Sequence, residues 1–114
     1  MIINGKNYGI PELGFDTVCR LEGYGISLFD VQNNPGKKMM SIIRAFTCIT
    51  LNIEPEQASF IIEQHLLGGG SFDGWLQEIN EAVEKSGFFQ AMLRKNEKKS
   101  PTQKKPQIVP TQDQ

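Results

Sequence analysis

The spacing of apolar residues predicts three long amphipathic helices in the middle of the chain. Within each segment, large apolar residues recur every three or four positions, so at about 100° per residue they fall on one core-facing stripe. The first segment covers residues 37–52, the second begins near Pro55, and the third follows Ser71, a predicted N-cap. The three stripes consist of Met39, Ile42, Ile43, Phe46, Ile49 and Ile53, then Ala58, Ile61, Ile62, His65 and Leu66, then Trp75, Leu76, Ile79, Ala82 and Val83.

Shorter elements precede these helices. Ile2-Ile3 and residues 8–10 flank Asn4-Gly5, a dipeptide that tolerates positive φ, which predicts a β-hairpin. Residues 14–22 predict a short helix, residues 27–31 a single helical turn, and "NNPG" a tight turn. The predicted fold class is therefore α+β and mostly α, with a short N-terminal β-hairpin packed on a bundle of four to five helices.

The glycine-rich stretch "GGGS" at residues 68–71 is interpreted as a corner between two helices of one domain. Its glycines allow a left-handed C-cap and a sharp reversal. The helix that follows has an apolar stripe, which needs the preceding elements to cover it. We therefore predict a single helical domain over residues 1–93.

Charge divides the chain into an acidic body and a basic tail. Residues 94–114 carry six Lys or Arg, two acidic residues and three prolines, with only Ile108 and Val109 as large apolar residues. This composition predicts a disordered tail. Subtracting it from the whole chain leaves six basic and eleven acidic residues in residues 1–93, so the body is about −5 and the tail +4. An acidic body without a basic recognition helix argues against nucleic acid as the partner.

Reactive side chains are few, so we expect no enzyme activity, no cofactor and no metal site. His65 is the only histidine and lies on an apolar face, which predicts a core or boundary residue with one hydrogen-bond partner. Cys19 and Cys48 lack the spacing of metal ligands, and we expect reduced thiols, with one disulfide as the alternative. No apolar run approaches the ~20 residues that span a bilayer, so a soluble, intracellular protein is expected.

The apolar pattern changes after Gly87. If one helix continued through this point, Phe89 and Leu93 would stay on its stripe, whereas Phe88 and Met92 would face the opposite side. Two interpretations follow. Either the helix kinks at Ser86-Gly87 and brings both phenylalanines into the core, or "FFQAML" forms a second apolar face that binds a partner or another copy.

Three segments together resemble a known family. They are "INGKNYGI", "LGFDTVCRLEGYGISLFDV" and "LQEINEAVEKSGFFQAML". Over residues 1–93 the chain resembles the tail assembly chaperones of long-tailed phages and prophages. In that family a β-ribbon like "I-N-G-K-x-Y" leads into a helix ending in "L-E-x-x-G", and a final helix carries residues like "A-x-x-x-S-G-F-F".

This resemblance implies a protein of the bacterial host cytoplasm that is absent from the mature virion. Such chaperones bind the tape measure protein and keep it soluble while tail tube subunits polymerise around it. A programmed frameshift often yields a longer product that recruits the tail tube protein, and the basic tail would then serve as a tether. The alternatives are a small nucleic-acid-associated helical protein and a structural tail joining protein.

Helix geometry, rather than the family, suggests where a client would bind. We predict a contact surface made of Trp75, Phe88, Phe89, Met92 and Leu93, extended by Phe60 and Leu67 on the outer side of the second long helix. The expected client is long and helical, so we expect an amphipathic helix to bind in a groove. The same apolar faces also predict self-association into a homo-oligomer.

Overall fold

A computed structural model describes residues 1–99, with side chains described as far as Arg94. This part of the chain contains a two-stranded antiparallel hairpin, six α-helices and one 3-10 helix. The predicted fold class is thus confirmed, with more helices than expected. The elements are β1 (Ile2–Ile3), β2 (Lys6–Asn7), α1 (Phe15–Gly23), α2 (Leu28–Asn33), a 3-10 helix (Pro35–Lys38), α3 (Met39–Leu51), α4 (Pro55–Leu67), α5 (Trp75–Lys85) and α6 (Gly87–Lys99).

The hairpin turns at Asn4-Gly5, as the dipeptide predicts. Both residues have positive φ, 52° and 83°, and strand β1 pairs with β2 through Ile2 opposite Asn7 and Ile3 opposite Lys6. The second strand therefore follows the turn directly instead of occupying residues 8–10. A ribbon of this length needs support, and the Trp75 indole provides some of it by donating to the Ile2 carbonyl at 3.2 Å.

Two clusters of buried side chains form the core. The larger one joins α1, α2, α3, α5 and α6, and its bulkiest members are Phe46 at the centre of α3 and Phe89 of α6. The smaller one joins Met1 and Ile3 of the hairpin region to Ile43 of α3 and Trp75 of α5. Helix α3 contributes to both clusters, which agrees with the broad apolar stripe predicted for it.

The corner between α4 and α5 differs from its prediction in one detail. Helix α5 begins at Trp75, and its N-cap is Gly74 in a left-handed conformation with φ 81°, so the prediction of Ser71 as N-cap is wrong. The Ser71 hydroxyl instead accepts a hydrogen bond from the backbone N–H of Asp73 at 3.2 Å. Residues on both sides of the corner pack in one cluster, which includes Ile61 and Ile62 of α4 and Trp75 of α5.

Of the two interpretations of the segment around Gly87, the structure supports the kink at Ser86-Gly87, although it buries Phe89 fully and Phe88 only partly. Helix α5 ends at Lys85, and the buried Ser86 hydroxyl donates to the Leu13 carbonyl at 2.7 Å while accepting from the Phe89 N–H at 3.1 Å. These bonds hold the start of α6 against the chain that precedes α1. Helix α6 runs to Lys99, so its last residues belong to the stretch from residue 94 that the sequence predicts as a disordered tail. Residues 100–114 of that tail lie outside the described residues.

Candidate interaction surface

Two of the residues predicted to contact a client belong to the core. Trp75 is 1% exposed, and its ring stacks on His65 at 5.1 Å between centroids. Phe89 is fully buried, and its ring meets Phe29 edge-on at 5.2 Å. The prediction that Trp75 and Phe89 form a binding surface is therefore wrong for this conformation, because both rings already have partners within the fold.

Three further predicted residues, all on α6, are only partly exposed. Phe88, Met92 and Leu93 are half-buried and pack against the larger core cluster. Phe88 also makes an edge-on contact with the exposed ring of Phe15, at 5.6 Å between centroids. Most of their apolar area thus serves the fold, and little of it is left for a partner.

Phe60 and Leu67, in contrast, are surface residues. Their exposed fractions are 60% and 84%. Helix α4 turns Ala58 and His65 towards the core, and at 3.6 residues per turn Phe60 and Leu67 then share the opposite side, about 10 Å apart along the axis. This face of α4 is therefore the candidate interaction surface among the predicted residues.

Beside this helix face lies an open groove between α3 and α4. Its volume is about 340 Å³, near the lower end of the roughly 300–1,000 Å³ typical of binding pockets. The apolar part of its lining comes from Met40 and Ile43 of α3, from Ile62 and Leu66 of α4, and from Phe72 of the corner. We call this feature the α3–α4 groove.

The sequence does not predict Met40 or Phe72 as surface residues, and it wrongly predicts that Leu66 faces the core. Met40 is 54% exposed. Its position just outside the apolar stripe of α3 is the sequence feature that indicates this exposure. Leu66 was assigned to the core-facing stripe, yet 43% of it is exposed because it lies at the edge of that stripe beside the groove. Phe72 gave no periodic signal because it precedes the first turn of α5.

Polar groups border the same groove. Ser41 and Arg44 come from α3, and Ser59 and Glu63 from α4. Arg44 and Glu63 are exposed, and the ion pairs found in the described part of the chain involve neither of them. The groove therefore has an apolar interior and one charge of each sign on its borders, neither of them in an ion pair of the described chain.

His65 fixes the end of α4 that forms this surface. Its Nδ1 accepts from the backbone N–H of Asn4 at 3.0 Å, so the ring proton is on Nε2, which donates to the Ser71 carbonyl at 2.8 Å. The buried histidine thus has two partners where one was predicted, and it ties the hairpin turn, helix α4 and the corner together. Both ring nitrogens are occupied, which leaves neither free to serve as a base.

The two cysteines are free. Cys48 is buried in α3, and burial raises the pKa of its thiol, so it carries little thiolate at neutral pH. Cys19 is exposed on α1. Among the side chains that the structure describes, as far as Arg94, no group of three or more His, Cys, Asp or Glu is placed to hold a metal ion. None of the helices described there is both long and apolar enough to cross a membrane.

Comparison with known proteins assigns the chain to no family. No protein-family model matches it, and neither a curated protein nor a solved structure does.

Proposed function

We propose that this protein is a tail assembly chaperone that binds a phage tape measure protein and keeps it soluble until tail tube subunits surround it. The observation that carries the proposal is the exposure of Phe60 and Leu67 on α4 beside the α3–α4 groove. A chaperone for a long helical client needs apolar surface that stays accessible, and amphipathic helices bind grooves of this kind.

Two further features support this proposal. The folded body is acidic, about −5 over residues 1–93, so the bodies of two copies repel each other while they display apolar side chains, and residues 94–114 bring the whole chain to −1. The residues that carry the family resemblance also have structural roles here. The "NG" of "INGKNYGI" forms the hairpin turn, and the Ser of "KSGFF" holds α6 in place.

The proposal is tested by producing the tape measure protein in a bacterial cell with and without this chain. We expect the client to stay in the soluble fraction and to co-purify only when the chain is present. The double variant Phe60→Ser, Leu67→Ser should retain less client, because it removes exposed apolar contacts without touching the core.

Gln64→Ser is the matched control, since Gln64 is an exposed polar residue between those two positions on the same helix. It should solubilise the client as the unsubstituted chain does. A client that precipitates whether or not the chain is present would contradict the proposed function.

A further inference from the structure

The α3–α4 groove has opposite charges on its two sides. Arg44 lies on α3 and Glu63 on α4, with the apolar lining between them. Both side chains are exposed, and no ion pair within the described residues engages either one. Each charge is thus available to a molecule that occupies the groove.

Opposite charges on two sides of a groove distinguish the two directions in which a helix can lie in it. An amphipathic helix that inserts its apolar stripe presents one flank to α3 and the other flank to α4. Turning the helix end for end, with the stripe still inserted, exchanges the two flanks. If the flanks differ in charge, one direction places opposite charges together and the other places like charges together.

We propose that the α3–α4 groove binds one amphipathic helix of the client in a single direction, with its acidic flank beside Arg44 and its basic flank beside Glu63. This inference rests on the proposed function and adds the chemistry of the client segment to it. The apolar stripe supplies most of the binding free energy, because each exposed ion pair changes a dissociation constant by only about fivefold or less. The charges decide orientation.

The probe is a synthetic helical peptide of about 20 residues, or some 30 Å of helix. Leucines form one stripe, glutamates one flank and lysines the other, and a spin label is attached at the N-terminus in one sample and at the C-terminus in another. The readout is the NMR signal of the methionine methyl groups. Met40 is the lining residue nearest the start of α3, so it reports which peptide end lies there.

With the unsubstituted chain, we expect only one of the two labels to broaden the Met40 signal. Arg44→Glu and Glu63→Lys should each weaken peptide binding by about three- to tenfold, because each reversal replaces an attraction with a repulsion of similar size. The double variant reverses both charges, so it should recover affinity and make the opposite label broaden Met40. Arg20→Glu on α1 and Glu81→Lys on α5 are matched charge reversals outside the groove, and they should leave affinity and direction unchanged.

Equal broadening by both labels would overturn the inference, as would a Met40 signal that the peptide does not affect. A Met40 signal that shifts with protein concentration in the absence of peptide would show that a second copy occupies the groove, which also overturns it.

The tape measure assay separates the two proposals. If the chain keeps that client soluble but the two labels affect the Met40 signal equally, only this inference fails. If the peptide binds in one direction but the client precipitates, the proposed function fails.

Discussion

At Gly70 the lack of a side chain decides how closely the corner between α4 and α5 approaches His65. A Cβ atom at this position would lie 2.3 Å from Cε1 of the His65 ring and 2.5 Å from both ring nitrogens. The ring cannot move away at little cost, because it is held by hydrogen bonds to Asn4 and Ser71 and stacks on Trp75. Close approach, and not backbone conformation, therefore accounts for glycine here.

We predict that Gly70→Ala lowers the free energy of unfolding by about 1–3 kcal/mol, since moving the ring leaves buried polar groups without partners. Urea denaturation followed by tryptophan fluorescence measures this directly, because Trp75 is the only tryptophan and stacks on His65. Gly87→Ala is the control. A Cβ at Gly87 meets nothing within 4 Å, and alanine is the better helix former. Equal stability of the two variants would mean that the ring moves freely.

The sequence predicts what kind of residue His65 is but not what it contacts. Its place on an apolar stripe indicates burial, and it is 6% exposed. One partner, Ser71, lies six residues away, whereas the other, Asn4, is 61 residues earlier in the chain. Periodicity describes one helix at a time, so a bond between the hairpin and α4 carries no periodic signal.

Among the elements, α2 shows how a short helix depends on its first turn. A capping box stabilises it: the Ser27 hydroxyl accepts from the Asp30 N–H at 3.1 Å, and the Asp30 carboxylate accepts from the Ser27 N–H at 3.1 Å. Helices this short are marginal without such help. The cap in turn positions Leu28 and Val31 in the core and Phe29 against Phe89.

The Asp30 carboxyl gives the capping box a pH dependence. The hydrogen bond from the Ser27 N–H, assisted by the nearby Lys38 ammonium, holds the pKa of Asp30 below its ordinary 3.8. A carboxyl whose pKa is depressed by folding stabilises the fold fully above its unfolded pKa, and this contribution is lost as the pH falls through the folded pKa. We predict that Asp30→Asn lowers stability near neutral pH and that the two proteins converge well below pH 3.8.

Urea midpoints across an acidic pH series measure this convergence. Asp16→Asn, measured at neutral pH, is the control for the helix dipole. Asp16 also lies in the first turn of a helix, but it takes part in none of the side-chain hydrogen bonds of the described chain. A stability difference between Asp30→Asn and the unsubstituted protein that stays constant down to the lowest pH would contradict the assignment to the carboxylate.

Element boundaries are predictable where one strong local signal decides them. Pro55 and the left-handed Asn4-Gly5 turn lie where the sequence predicts, because each acts through its own backbone. The start of α5 is wrongly predicted because two local hydrogen-bond patterns compete. The Ser71 hydroxyl can cap a helix or close a turn, and here it bonds to the N–H of Asp73, two residues later.

At the scale of the whole molecule, the sequence identifies apolar residues but not which of them remain exposed. Trp75 and Phe60 both belong to amphipathic helices, yet one is 1% exposed and the other 60%. The difference depends on which elements cover each helix. Trp75 is covered by the hairpin and His65, whereas nothing in the described chain covers the outer side of α4.

This distinction predicts that two pairs of polar substitutions differ strongly in their effect on stability. Phe88→Ser with Met92→Ser should lower the free energy of unfolding by about 2–4 kcal/mol, because both side chains pack against the larger core cluster. Phe60→Ser with Leu67→Ser should change it by less than about 0.5 kcal/mol, since surface substitutions away from such packing cost little. Urea denaturation of both variants makes the comparison. A destabilised Phe60, Leu67 variant would show that these side chains belong to the fold, and the proposed client surface would then lose its two most exposed residues.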